Sequence, residues 1–252
     1  MTALQKVHAN KQKEDKPMSD FVTIGTAQRP GTSPPCADGY DVQRTATRVC
    51  AAVVDGAGHH PDTVRYAGIA PAVITHIGTT LGGLAGLITA GQMAHAYDPL
   101  PHLSAIYARV EAGLPTALHW LGDCRAYGWD GKELRCWSTD QTMGEFLRVH
   151  GDVPAEVVEH HDAWARLGLS QASAATCWQA EIPPSVRLVF LCSDGLSDQV
   201  APSVWRDLCI THGEDPQSLA DALVGAAVAD ESGYRDDTTV VVLRRAAADS
   251  GA

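Results

Sequence analysis

Two uninterrupted apolar runs, each closed by Asp-Gly, constrain this chain most: VCAAVVDGAG over 49–58 and LVFLCSDGLSD over 188–198. A continuous apolar run bounded by glycine is the pattern of a strand buried on both faces. A third acidic step, Asp236 and Asp237, opens the last such run, DDTTVVVL. Carboxylates at strand ends are held rigidly, and several brought to one point repel one another unless a hard cation lies between them. The pattern implies a chain built around a divalent-metal site.

Length and composition fit one large domain, because 252 residues with 45% apolar content carry no long Pro, Ser or Gly linker after residue 40. A net charge of −11 argues against a nucleic-acid partner, which needs a basic surface to release counterions. The seven cysteines are odd in number, never spaced as CxxC and mostly set in apolar stretches. They read as reduced thiols of a cytoplasmic protein, not as disulfides or a zinc site. Residues 1–20 have lysines but no apolar core, so they are expected to be a disordered tail ahead of a domain over 21–245, with a short tail over 246–252. The stretch 68–91 is long enough to raise a membrane span, but Pro71, His76 and its glycines favour a buried core helix, so no membrane association is expected.

Strands are expected at 21–27, 40–46 and 48–55, then a helix from Pro61 through about residue 90. A strand-rich stretch follows, LSAIYARVE, PTALHWLG, CRAYGWDG and ELRCWS, with Asp130 and Gly131 as a hairpin turn. The pattern is helical from Asp140 to about 150 and irregular over 151–184, a length that inside a compact domain is often functional. A buried strand at 187–194, two amphipathic helices beginning near Pro202 and Pro216, and a strand at 237–244 complete the chain. This order fits an α+β class, with antiparallel sheets and helices packed outside them.

In these motifs the chain resembles the metal-dependent protein phosphatases of the 2C type, in their bacterial form. The matching pieces, in the family's order, are VVDGAGHH at 53–60, HWLGDCRAYGWDG at 119–131, TDQT at 139–142, FLCSDGLSDQV at 190–200 and RDDTTVVVL at 235–243. The resemblance implies a four-layer α-β-β-α sandwich, two antiparallel sheets flanked by helix pairs, with two Mn²⁺ or Mg²⁺ ions at one end. Such ions about 4 Å apart clamp a phosphate and lower the pKa of a bridging water, and oxygen ligands suit them. By position, Asp55 would bridge both ions and the Gly56 carbonyl would be a further ligand. Asp194 and Asp236 match the other ligands of one ion, and Asp38 the acid that reaches the second largely through water. Asp123 matches the support of an additional, third metal, with a loop anchor as its alternative.

Departures from the family pattern concern the phosphate. The position of its phosphate-binding Arg is Ser33 here, and Arg29 is the nearby substitute, against a solvated loop charge. Asp237 stands where the family usually has Asn, and Asp198 reads as a helix cap or turn residue. His60 is expected to be structural, His59 has no assigned role, and His160 and His161 fall in the segment matching the family's mobile flap. The implied activity is hydrolysis of phosphoserine or phosphothreonine in phosphorylated proteins, substrates of a Ser/Thr kinase. Two rivals stand beside it: a catalytically weak phosphatase-like interaction module, for which Ser33 speaks, and a phosphohydrolase of small metabolites.

Overall fold

Both apolar runs are strands whose two faces sit in different cores. In the computed structural model, which describes residues 21–246, β3 (Arg48–Gly56) turns Val49, Ala51 and Val53 to one side and Cys50, Ala52 and Val54 to the other. β9 (Leu188–Cys192) divides likewise, with Val189 and Leu191 on one face and Leu188, Phe190 and Cys192 on the opposite one. Strand side chains alternate with a period of two, so an apolar residue at every position requires cover on both faces. The N-terminal tail expected over 1–20 lies outside the described residues, as does the C-terminal one apart from Ala246.

The other strands are β1 (Val22–Arg29), β2 (Asp38–Arg44), β4 (Leu103–Glu111), β5 (Thr116–Leu121), β6 (Arg125–Trp129), β7 (Leu134–Cys136), β8 (Trp178–Ile182) and β10 (Thr238–Arg245). They form two five-stranded sheets, ordered β1-β10-β9-β6-β7 and β2-β3-β4-β5-β8, with antiparallel pairing throughout. Val49, Ile106 and Leu118 of one sheet meet Val189, Val241 and Leu243 of the other in the central core. Helices α2 (Ala70–Leu81) and α3 (Gly83–Ala94) cover the second sheet through Ile74, Leu87 and Ala90. Helices α7 (Pro202–His212) and α8 (Pro216–Ala226) cover the first through Trp205, Leu219 and Leu223. The result is the expected α-β-β-α sandwich.

The single helix expected from Pro61 to about 90 is instead three, α1 (Pro61–Ala67), α2 and α3. Gly82, at φ +93°, adopts a conformation open chiefly to glycine, and the chain turns back there. The folded-back pair presents two apolar faces to one sheet, where a straight helix would present one. Among the described residues no helix is long and apolar enough to cross a membrane. The irregular stretch contains α5 (Ala155–Glu159), a 3-10 turn at Leu169–Gln171 and the edge strand β8, while α4 (Met143–His150) and its Thr142 cap precede it. All seven cysteines are free thiols, four of them (Cys50, Cys124, Cys192 and Cys209) buried.

Candidate active site

Strand register brings the acids to one end of the sandwich. Asp38 lies opposite Asp55 across β2 and β3, and Asp55 lies opposite Ser104 across β3 and β4. Ser104 Oγ donates to Asp123 Oδ1 at 2.5 Å, fixing the turn between β5 and β6. From the other sheet, Asp194 follows β9 as the first residue of α6 (Asp194–Gln199), and Asp236 precedes β10, the strand paired with β9. A cavity of about 850 Å³ is lined by Asp55, Gly56, Asp123, Asp194 and Asp236. Gly56 is held close: a Cβ there would meet Thr63 Cγ2 at 2.7 Å and the Ala37 carbonyl at 2.8 Å. Asp38 is buried behind Asp55 and does not line the cavity.

Burial dominates the electrostatics. It pushes Asp55 and Asp194 well above the usual carboxylate range, and neighbouring acids push further, Asp38 and Asp123 on Asp55, Asp55 and Asp123 on Asp194. The Asp55 and Asp194 carboxylates also lie within hydrogen-bonding reach of each other. Asp38 is pushed up to about 8 by burial, partly offset by hydrogen bonds from Ser193 and Thr239, with the Asp237 and Asp194 charges adding to the rise. Asp123 is raised chiefly by burial. One oxygen of Asp38, Oδ2, is buried without a partner among the described residues.

Buried carboxylates in this arrangement need protons or cations to neutralise them. The donor set is all oxygen and strongly anionic, which fits Mn²⁺ or Mg²⁺ and not zinc. Among the described residues no three His, Cys, Asp or Glu side chains close a coordination shell by themselves. Mg²⁺ commonly takes one or two carboxylates and fills its octahedron with water and phosphate oxygens.

The residues outside the acid set divide sharply. Arg29 is turned toward the end of α8, where its Nη1 donates to the Val224 and Ala227 carbonyls at 3.3 and 3.2 Å. It does not line the cavity, so the substitute role expected for it is not supported. Ser33 is exposed. His60 caps α1, accepting from the Asp62 N–H, the structural role expected. His59 lines the cavity with Nδ1 2.9 Å from the Pro35 carbonyl. His160 and His161 instead sit against carbonyls of α5, and His161 stacks on Trp164. Asp198 lies within α6 and pairs with Arg125. The Asp237 oxygens accept the Gly31 and Ala37 N–H groups at 2.6 and 2.7 Å.

His102, Ser104, Trp164, Arg166 and Tyr234 also line the cavity and were not singled out in the sequence. His102 Nε2 is buried without a partner, and burial lowers the ring's pKa against the opposing pull of Asp123. The only sequence signal for Trp164 and Arg166 was the irregularity of 151–184.

Comparison with solved structures gives the same architecture. The Mycobacterium tuberculosis serine/threonine phosphatase PstP/Ppp superposes with a TM-score of 0.69 at 20% identity, over 89% of this chain and 98% of its own. The catalytic domain of PstP in complex with two manganese ions gives 0.66 at 20% identity, over 88% and 97%. Stp1 from Staphylococcus aureus gives 0.71 at 14% identity, over 89% and 95%. No curated protein matches the chain in sequence. The family model described as Stage II sporulation protein E (SpoIIE) matches residues 45–246, so the chain belongs to the SpoIIE family and has the fold of the 2C-type metal-dependent phosphatases.

Proposed function

We propose that the chain is a metal-dependent phosphoprotein phosphatase hydrolysing phosphoserine and phosphothreonine, with Asp55, Gly56, Asp194, Asp236 and Asp38 holding two Mn²⁺ or Mg²⁺ ions and Asp123 supporting a third. The observation that carries this reading is the convergence of Asp55, Asp123, Asp194 and Asp236 on one cavity, with Asp38 in register behind Asp55. Such ions supply charge neutralisation for the phosphoryl group and a lowered pKa for a coordinated water. The chain's part is to hold the acids rigidly at strand ends, so that little reorganisation accompanies the reaction. No side chain need act as nucleophile. All the acids of the set are in place, which favours an enzyme over a pure interaction module.

A second reading, hydrolysis of a small phosphorylated metabolite, draws on residues 163–166, 170 and 171 walling the cavity. Against it, Trp164 is 60% exposed at that wall and Phe146 and Val149 are exposed on α4, an apolar surface that a polypeptide substrate would meet. The test is hydrolysis of an aryl phosphate, a phosphothreonine peptide and small sugar phosphates with Mn²⁺, with and without chelator, alongside Asp55→Asn and Asp194→Asn. Turnover that needs Mn²⁺ and drops at least a hundredfold in both variants is expected. No metal-dependent turnover above the variants would sink the enzyme reading, and a strong preference for sugar phosphates would select the metabolite reading.

A further inference from the structure

Among the described residues, Arg166 is the one arginine or lysine that lines the acidic cavity. The other arginines near this end are committed. Arg29 is spent on the Val224 and Ala227 carbonyls, Arg125 on Asp140 and Asp198, and Arg235 on the Pro30 and Asp236 carbonyls. Arg166 has a buried Nε without an acceptor, and no carboxylate among the described residues pairs with it. A buried, unspent donor on a permanently charged group is costly unless a ligand takes it. Its guanidinium carbon lies 4.9 Å from the centroid of the Phe146 ring, which supports one face of the group.

The backbone around Arg166 is fixed to the acid site. Arg166 N–H donates to the Gln141 carbonyl at 2.9 Å, and Ala165 is bridged to Thr142. The Gln141 side chain accepts from Gly122 N–H at 3.0 Å and donates to the Thr176 carbonyl at 2.8 Å. Gly122 directly precedes Asp123. One glutamine thus ties the Arg166 segment to the turn that carries a cavity acid.

We propose that Arg166 binds the phosphate of the substrate, supplying from the segment after α5 the charge that Ser33 lacks. This inference rests on the phosphatase reading of the same cavity. A guanidinium fork matches phosphate oxygens bidentately, which a lysine cannot do.

Inorganic phosphate is titrated calorimetrically into the Mn²⁺-saturated chain, its Arg166→Ala and its Arg166→Lys variants, and KM and kcat are measured on the aryl phosphate. Arg166→Ala is expected to weaken phosphate binding and raise KM by on the order of 10- to 100-fold, with kcat changed far less, and Arg166→Lys to recover part of the loss. Neither Mn²⁺ affinity nor the thermal midpoint is expected to fall. Phosphate affinity within twofold of wild type in Arg166→Ala overturns the proposal. So does an equal loss of Mn²⁺ affinity, which would make Arg166 part of the metal-site architecture. If Arg166→Ala does not fold, Arg166→Gln, which keeps part of the aliphatic stem and a polar end without the charge, is held to the same criteria. Absence of turnover in the wild type refutes the phosphatase reading alone, since the phosphate titration still decides Arg166. Turnover with an Arg166-independent phosphate affinity refutes only Arg166.

Discussion

The two oxygens of Asp237 each accept one backbone N–H, from Gly31 and from Ala37, and so hold the loop that leads into Asp38. An amide at that position has a single acceptor oxygen, and its NH₂ would face one of those N–H groups. Asp237→Asn is therefore expected to lower stability by about 1–3 kcal/mol, read as a shifted urea midpoint, and to weaken Mn²⁺ binding through a displaced Asp38. An unchanged urea midpoint would show that the loop is held by something else. At this scale the sequence was informative where a carboxylate ended an apolar run, because strand chemistry fixes the position of such a residue. It was silent on Arg166, His102 and Tyr234, because none carries a carboxylate and, although the last two sit just ahead of β4 and β10, their place in the cavity wall is set by contacts distant in the chain. Arg29 illustrates the converse: close in sequence to the phosphate position, it is turned by β1 toward the carbonyls next to the end of α8.

Element by element, the strands other than β8 matched their apolar patterns, whereas the one long helix expected from Pro61 was divided by packing. Helices α2 and α3 approach so closely that a Cβ on Gly86 would lie 2.4 Å from the Ile74 carbonyl, while Gly225 of α8 has nothing within 4 Å. Alanine is the better helix former at both positions by about 1 kcal/mol. Gly225→Ala is expected to raise stability by up to that amount, and Gly86→Ala to lower it, since overpacking costs about 1–3 kcal/mol. Thermal or urea unfolding of the two variants decides this, and a Gly86→Ala chain as stable as wild type would contradict the close packing of the pair. Strand β8 escaped a pattern-based reading because four of its five residues are not buried, so it lacks apolar alternation and is recognised only by pairing with β5. Helix α6 is short and begins on the DGLSD turn signal, which hides it.

For the whole molecule, the acid cluster makes stability depend on cations and pH together. Asp38, pushed up to about 8, keeps in the folded chain a proton that the unfolded chain releases near pH 4. The folded state then holds the extra proton between those values, so this contribution to stability falls as pH rises from about 4 to 8, opposite in sign to a salt-bridged carboxylate. In chelator, the wild type should lose more stability over that interval than Asp38→Asn does. Mn²⁺ affinity should rise over it, with proton release seen as a buffer-dependent binding enthalpy. At about a hundred times its Kd, Mn²⁺ should raise the thermal midpoint by roughly 5–10 °C. A metal-independent midpoint at pH 8 would contradict the cluster as a cation site. The buried strands, their acidic ends and the layered class are written in the order of residues, because alternation and rigid strand termini act locally. That Arg166 joins the acids in one cavity, that the long apolar stretch divides into helices and that Asp237 serves the backbone emerge only on folding, because each depends on groups that the sheets bring together from distant parts of the chain.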